Sequence, residues 1–514
     1  MIADQSEHTT LAREAIRTFQ GVGGAPAPIS IDLNAAARRA ASQFSGHVLS
    51  PRLLSGLSGL AEFAILVTFL TGMRYALHAY VDVAHPVVST VGFALGTVSI
   101  VSLLHGYEAS QLRSQRRQSR RLALGLSGGA ALSAALAFAL GSFSLPDQMT
   151  WLAISGVVSF LLLSLVRSLL AARVRHWART GRLERRIVLV GGGRAAEEFI
   201  RTLEKQPDSD IRICGIFDDR EDDRSPPIVA GYPKLGTIAE LTEFARLARI
   251  DMLVITLPLS AERRILAILK ALWVLPLDIR ISALSQNLRF RSRSYSYAGD
   301  VPMLDVIDRP IADWSRVAKR VFDLAFGVVA LAAVSPIMLL TALAIKWDTP
   351  GPIFFRQKRH GFNNEIIDVW KFRSLRHEMS DPSARKLVTR DDPRVTRVGK
   401  FIRRTSIDEL PQLFNVLAGN LSMVGPRPHA VAAQSSRQVT FTEIVDGYFG
   451  RHKVKPGITG YAQIKGWRGE IDDDIKLQKR FEHDLFYIEN WSVLLDLYIL
   501  AATPLSLVTT RNAY

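Results

Sequence analysis

Four stretches between Leu53 and Val166 are apolar enough to constrain everything else the chain can do. A bilayer's hydrocarbon core is about 30 Å thick, so a helix rising about 1.5 Å per residue needs about 20 mostly apolar residues to cross it. Val83–Tyr107, Leu122–Pro146 and Gln148–Val166 contain no Asp, Glu, Lys or Arg, and Leu53–Met73 contains only Glu62. These predict four spanning helices, with Glu62 turned inward because a carboxylate facing lipid is costly. Arg113, Arg116, Arg117, Arg120 and Arg121 stand between the second and third stretches. Arg173, Arg175, Arg179, Arg182, Arg185 and Arg186 follow the fourth, whereas the loop Phe143–Thr150 has neither Lys nor Arg. The excess of basic residues on cytoplasmic loops therefore predicts that both ends of this four-helix unit face the cytoplasm. About 50 polar, Ala- and Ser-rich residues precede the first stretch, so a cleaved signal peptide is not expected there.

Charge and apolarity have to be explained together. The 514 residues include 64 Lys and Arg against 48 Asp and Glu, a net charge of +16, alongside 48% hydrophobic residues. A basic surface alone would suit nucleic acid, but joined to this apolar content it predicts a lipid bilayer as partner and no nucleic acid. The single cysteine, Cys214, leaves no disulfide framework and no Cys-ligated metal site.

Beyond the spans, Ile187-Val188-Leu189-Val190 runs into Gly191-Gly192-Gly193 and then a helical pattern from Ala195 to Leu203. A second apolar run, Ile211–Phe217, ends in Asp218-Asp219, and Met252–Ile255 reads as a third buried strand. Gly191-x-Gly193-x-x-Ala196 with Asp218 fits the dinucleotide fingerprint, making Gly191, Gly193 and Asp218 candidate nucleotide ligands. The same turn closes βαβ units that bind nothing, and both readings stay open at this point. No Tyr-x-x-x-Lys pair occurs between Arg186 and Ile311, which argues against an NAD-dependent nucleotide-sugar dehydratase or epimerase.

Leu324–Ile345 offers 22 residues without a charged side chain. Its flanks are basic on both sides, Arg316, Lys319 and Arg320 before it and Lys346, Arg356, Lys358 and Arg359 after it. Ser335-Pro336 sits at its centre, where proline removes an amide donor and the serine hydroxyl can serve a freed carbonyl. A re-entrant helix that breaks at Ser335 and Pro336 and returns to the same leaflet satisfies both flanks. The alternative is a fifth span placing residues 346–514 outside the cytoplasm. Leu497–Thr510, near Trp491, is too short to cross and is expected to lie at the membrane surface.

Residues 346–470 carry four clusters: Lys371-Phe372-Arg373; Arg403 to Gln412; Val424-Gly425-Pro426-Arg427-Pro428; and Lys455-Pro456-Gly457-Ile458-Thr459-Gly460. Cations, glycine-freed amides and adjacent carboxylates are what handling a phosphoanhydride beside a divalent metal requires. Asp408 and Glu409 are read as lying at a helix N-terminus capped by Ser406, where the dipole favours carboxylates and phosphates alike. Ser406-x-x-Glu409 also matches a plain capping box, and Pro411 falls in the first turn, where it is tolerated.

From about Ala318 to Leu500 the chain resembles the bacterial sugar transferases, the monotopic phosphoglycosyl transferases, most specifically in the string Arg404 to Pro428, RTSIDELPQLFNVLAGNLSMVGPRP. With its spans and Rossmann-like middle it is similar to the long form, the polyprenyl-phosphate hexose-1-phosphate transferases. Trp467-Arg468-Gly469-Glu470 and Tyr487 to Trp491 look closest to the undecaprenyl-phosphate glucose type. The resemblance implies a re-entrant helix broken at the Ser-Pro pair and transfer of hexose-1-phosphate from a UDP-sugar donor to an undecaprenyl phosphate acceptor, with UMP released. It makes Asp408 the nucleophile that carries the phosphosugar and Glu409 its partner, which helps Asp408 hold Mg²⁺ or handles the proton of the incoming acceptor. It also makes Lys371, Arg373, Arg404 and Arg427 phosphate ligands, and Pro456, Gly457, Thr459 and Gly460 a nucleotide or sugar loop. Glucose is favoured over galactose.

The expected fold is thus a multi-domain membrane protein: a four-helix transmembrane bundle, a Rossmann-like α/β domain, and an α/β catalytic domain with a re-entrant membrane helix. The expected boundaries are a polar cytoplasmic segment 1–50, the bundle 51–175, the Rossmann-like domain 186–300, the re-entrant helix 314–347 and the catalytic domain 348–514. It is placed in the bacterial inner membrane with its catalytic domain in the cytoplasm, and its broad apolar helix faces suit a homodimer.

Overall fold

The computed structural model describes residues 32–46, 48–77, 85–112, 115–140, 145–206, 210–220, 225–283, 295–298, 301–379, 392–429, 445, 447–467 and 474–509. Arg113 and Arg468-Gly469-Glu470, named above, lie outside the described residues. The chain forms two compact units, Gly46–Arg185 and a larger one made of Met1–Ser45 with Arg186–Tyr514.

In the smaller unit, the helices Pro51–Leu77, Pro86–Leu103, Gln115–Ala139 and Leu145–Arg179 are each long and apolar enough to cross a membrane. The third begins at Gln115, before the apolar run itself, so Arg120 and Arg121 belong to a helix. Leu66, Leu70, Phe93, Leu122, Leu126, Trp151 and Leu163 form the shared interior. Glycine lets two of these helices meet backbone to backbone: a Cβ on Gly129 would stand 2.4 Å from the Phe93 carbonyl oxygen. Glu62 is buried as expected, and its partners come from distant sequence. Arg167 donates to both its oxygens at 2.6 and 2.8 Å, and the Tyr107 hydroxyl donates at 2.8 Å.

The larger unit contains an eight-stranded sheet of order β3-β4-β2-β1-β5-β6-β8-β7. Its strands are β1 Arg185–Val190, β2 Ile211–Phe217, β3 Ile228–Val229, β4 Tyr232–Gly236, β5 Met252–Ile255, β6 Asp278–Ser282, β7 Tyr295–Ala298 and β8 Val301–Ile307. The central strands pair in parallel, Ile187 opposite Met252 and Met252 opposite Asp278, while β8 and β7 close one edge antiparallel. Helices cover both faces, which is why β5 and the Ile187–Val190 part of β1 are continuously apolar. Phe199, Ile200 and Leu203 cover one face and Leu241, Phe244 and Leu272 the other. The polar N-terminal segment contributes unexpectedly: Ala35–Gln43 is a helix whose Ala37 and Ala41, with Phe44, join the second layer. Asn34 caps it and donates to the Leu235 carbonyl at 2.6 Å.

After the sheet comes one helix, Asp313–Asp348. The break expected at Ser335 and Pro336 is not seen, since the backbone stays helical through Pro336. Proline leaves the Ala332 carbonyl without its usual amide donor, and the Ser335 hydroxyl donates to that oxygen at 2.9 Å. Phe322 in its first half packs with Val416, Met423 and Tyr487, and Met338 and Ile345 in its second half pack with Phe372 and Ile402. Outward, Val328, Val329, Leu339, Leu340 and Leu343 are exposed.

Two short ladders follow the long helix. β9 Phe354–His360 pairs antiparallel with β10 Ile366–Phe372, and β11 Ser422–Val424 pairs parallel with β12 Gly457–Thr459. The last helix, Val493–Thr509, is anchored by a buried network. Asp496 accepts from Lys319 at 2.7 Å, Tyr487 at 2.8 Å and Trp491 at 3.1 Å, and Lys319 also donates to the Val424 carbonyl at 2.9 Å.

Candidate active site

Asp408 and Glu409 sit on a single 3-10 turn, Ile407–Glu409, between the helices Arg397–Arg404 and Gln412–Ala418. This corrects the capped-helix reading. Ser406 adopts a left-handed backbone at φ +59° and its side chain makes no capping bond, so there is no capping box; Pro411 stands at the N-cap of the following helix. The turn is held instead by Asn415. Its side chain accepts from the Trp370 amide at 2.9 Å and donates to the Asp368 carbonyl at 2.7 Å, locking the following helix onto β10. That register brings Lys371, near the end of β10, to the carboxylates.

The two acids have opposite environments. Lys371 donates to Glu409 Oε1 at 2.9 Å, and Arg427 donates to Oε1 at 2.5 Å and Oε2 at 3.1 Å. Burial alone would raise the Glu409 carboxyl, but Arg427 and Lys371 outweigh it and hold the group well below the usual carboxylate range. Asp408 has no hydrogen bond or ion pair among the described residues. Burial raises its carboxyl and the charge of Glu409 adds to that, against Lys371, so the pair splits into a committed anion and a less acidic neighbour.

Arg359 also belongs to the site, though sequence reasoning missed it there. Burial lowers it to about 10, with Arg427 adding to the shift and Glu409 and Asp408 opposing it. It donates to the Pro428 carbonyl at 2.6 Å. Arg403 acts on Asp408 electrostatically, whereas its neighbour Arg404 is exposed at the end of the helix. Successive helical residues lie about 100° apart, so Arg403 and Arg404 point in different directions.

Other candidates have different duties. Arg373 is buried and its guanidinium donates to the Thr349 carbonyl at 2.7 Å and to the Pro350 carbonyl, serving the end of the long helix. It is not brought to the carboxylates. Pro456, Gly457, Thr459 and Gly460 brace the segment before Arg427: the Pro456 carbonyl accepts from Ser422 at 2.9 Å, Thr459 accepts from Gly425 at 2.9 Å, and Gly457 donates to Pro426 at 3.0 Å. A Cβ on Gly457 would stand 2.1 Å from the Gly425 nitrogen and one on Gly460 2.3 Å from its oxygen, so both must be glycine. The Thr459 hydroxyl bonds that of Thr503 at 2.7 Å.

At the other candidate site, the glycine turn after β1, Asp218 fills its own cradle. It accepts from the Gly192 amide at 2.8 Å and from Arg220 at 2.7 Å. Burial would raise this carboxyl, but Arg220 and the amide bring it down to about 2. Thr256 donates to the Gly191 carbonyl at 2.7 Å, and Gly193 is the N-cap of helix Arg194–Glu204 without a side-chain capping bond.

No cluster of three His, Cys, Asp or Glu side chains able to hold a metal occurs among the described residues. The two adjacent carboxylates suit Mg²⁺, which is commonly held by one or two carboxylates and completes its shell with substrate phosphates and water. Because both Glu409 oxygens already receive cations, Asp408 is the better-placed donor.

A membrane-associated α/β protein with a cation-flanked carboxylate pair is the class this geometry defines. Residues 314–510 match the model of the bacterial sugar transferases, and residues 102–283 match that of a CoA-binding domain. The chain is 38% identical over 336 residues to the undecaprenyl-phosphate glucose phosphotransferase of Komagataeibacter xylinus, covering 65% of this chain and 61% of that protein. It is 36% identical to the UDP-glucose:undecaprenyl-phosphate glucose-1-phosphate transferase of Escherichia coli K12, covering 66% of this chain and 71% of that protein. To the N-acetylgalactosaminephosphotransferase of Aeromonas hydrophila that acts on UDP-N-acetylgalactosamine and undecaprenyl phosphate, it is 41% identical over 38% of this chain and 44% of that protein. The chain belongs to the bacterial sugar transferase family.

Proposed function

We propose that this protein transfers glucose-1-phosphate from UDP-glucose to undecaprenyl phosphate and so starts the repeat unit of an exopolysaccharide or capsule. The observation that carries this reading is the split carboxylate pair: Glu409 is clamped by Lys371 and Arg427, while Asp408 beside it has no such partner among the described residues. A clamped carboxylate is spent as a nucleophile, and an unpaired one is available. In the proposed route an Asp408 oxygen bonds to the sugar-linked phosphorus of the donor, the bond to the bridging oxygen breaks, and UMP departs with that oxygen. An oxygen of the acceptor phosphate then bonds to the same phosphorus and Asp408 leaves as carboxylate. Lys371, Arg427 and Arg359 neutralise the diphosphate so that two anions can meet. Mg²⁺, held through Asp408 with Glu409 behind it, would supply further charge neutralisation when bound.

The long helix, unbroken at Pro336, is proposed to lie in the cytoplasmic leaflet of an inner membrane rather than to cross it. Both halves pack on the same catalytic region, which suits two ends on one side of the bilayer better than a crossing. The glycine turn of the sheet domain is proposed to hold no dinucleotide, since Asp218 already occupies the amide that a pyrophosphate would use.

The test incubates purified full-length protein with Mg²⁺, undecaprenyl phosphate and a panel of UDP-sugars, reading UMP. UDP-glucose is expected to give the highest rate, and label from the sugar phosphate should appear on wild-type protein but not on Asp408→Asn. Preference for UDP-galactose would redirect the sugar assignment, and label on Asp408→Asn would refute the nucleophile.

A further inference from the structure

Trp273 follows helix Glu262–Leu272 of the sheet domain and lies outside the family segment 314–510. Its indole is nonetheless seated on the catalytic turn Tyr448–Lys453. A Cβ on Gly447, just before the turn, would stand 2.5 Å from its Cζ2 atom and one on Gly450 within it 2.5 Å from Cη2, so the chain is glycine at both positions against the ring. The Lys453 ammonium lies 4.6 Å from the ring centroid. The ring also packs beside Val445, Tyr448, Leu477 and Phe481.

That turn reaches the carboxylate clamp through Arg451, which is 1% exposed. Its guanidinium donates to the Arg427 carbonyl at 2.8 Å, lies 2.6 Å from His429 Nδ1 and pairs with Asp484 at 2.6 Å. Arg427 is the residue whose side chain grips Glu409. An apolar seam that merely joined two domains would not need a buried arginine spending its donors on the backbone of the next functional cation.

We propose that Trp273 is a positioning residue: through the turn Tyr448–Lys453 and Arg451 it sets Arg427 against Glu409, so that the sheet domain governs the transfer rate. This rests on the transferase reading above. In that mechanism a misplaced guanidinium stabilises the developing charge poorly while leaving much donor binding intact.

The experiment measures kcat and KM for UDP-glucose on full-length wild type, Trp273→Ala, Trp273→Phe, Gly450→Ala and the Trp273→Ala/Gly450→Ala double variant. Trp273→Ala is expected to lower kcat about tenfold or more with a much smaller change in KM, and Trp273→Phe to recover most of the loss. Gly450→Ala should also lower kcat, and the double variant should cost no more than the worse single one, because both break one contact. A kcat for folded Trp273→Ala equal to wild type, or fully additive losses, would overturn the proposal. If Trp273→Ala does not fold, Gly450→Ala carries the same test, and an unchanged kcat there overturns it. Wild type that releases no UMP from any UDP-sugar would instead sink the transferase reading.

Discussion

The glycine turn after β1, met by Asp218 from the end of β2, and the turn Ile407–Glu409 each have an aspartate where a phosphate could be handled, and they leave it in opposite states. At the first, Asp218 accepts from the Gly192 amide and Arg220, so its oxygens are committed. At the second, the cations go to Glu409 and Asp408 keeps its oxygens. The two sequences advertise themselves about equally, one by a glycine fingerprint and one by paired acids. What separates a committed acid from an uncommitted one is where the neighbouring donors are spent, and only the fold decides that.

The contrast is broken most directly at Asp408. Asp408→Asn should cut UMP release by about a thousandfold or more, as expected when a nucleophile is lost, and a residual rate within tenfold of wild type would remove the distinction. Next in size, Arg427→Lys replaces a two-pronged clamp by a point charge and should lower kcat about 100-fold; an unchanged kcat would show that the clamp on Glu409 is dispensable. The acidic limb of the rate profile tests the split itself. Asp408 must be ionised to attack, and its pKa is raised, so activity should fall as pH drops through a value above the ordinary aspartate value of about 4. Glu409→Gln removes a charge that raises Asp408 and frees Lys371 and Arg427 to lower it, so the limb of the residual activity should move to lower pH; movement upward would contradict the assignment.

The smallest effect belongs to the closed turn. Asp218→Asn should destabilise the sheet domain by about 1 to 2 kcal/mol, seen in denaturant unfolding, with little change in UMP release. Because the folded carboxyl is depressed to about 2, its stabilisation is present at neutral pH and is lost as pH falls from about 4 toward that value. A large loss of activity with unchanged stability would instead make Asp218 a functional group.

Much of this was legible in the chain before folding, and the reasons differ by feature. Long charge-free runs announce helices because composition alone sets the cost of crossing a bilayer, and alternating apolar runs with glycine turns announce the parallel sheet. The string from Arg404 to Pro428 contains Arg427 and the two acids, and the fold brings Lys371 to them. What stayed hidden was pairing. Lys371 and Arg373 read alike in sequence, but β10 ends at Phe372 and Arg373 turns to the carbonyls of Thr349 and Pro350. Arg359 gave no local signal, because its site role comes from a ladder that places it beside Arg427 and Glu409. Ser406 matched a capping pattern that its left-handed backbone cannot use. The helix in residues 35–43 was hidden for a related reason: only two alanines and Phe44 bury it, and alanine gives a weak apolar stripe.

The Glu62–Arg167 pair has a consequence for how the protein is made. The partners are separated by 105 positions, so the helix carrying Glu62 emerges long before the helix that neutralises it. A lone carboxylate at mid-helix is penalised by the insertion machinery, whereas a preformed ion pair with Tyr107 alongside is a far smaller burden. The first helix is therefore expected to linger beside the translocon until residue 167 has been synthesised, and the helices to enter lipid as a group. Chains truncated before Arg167 should be cleared by quality control, and Glu62→Gln should relieve that dependence.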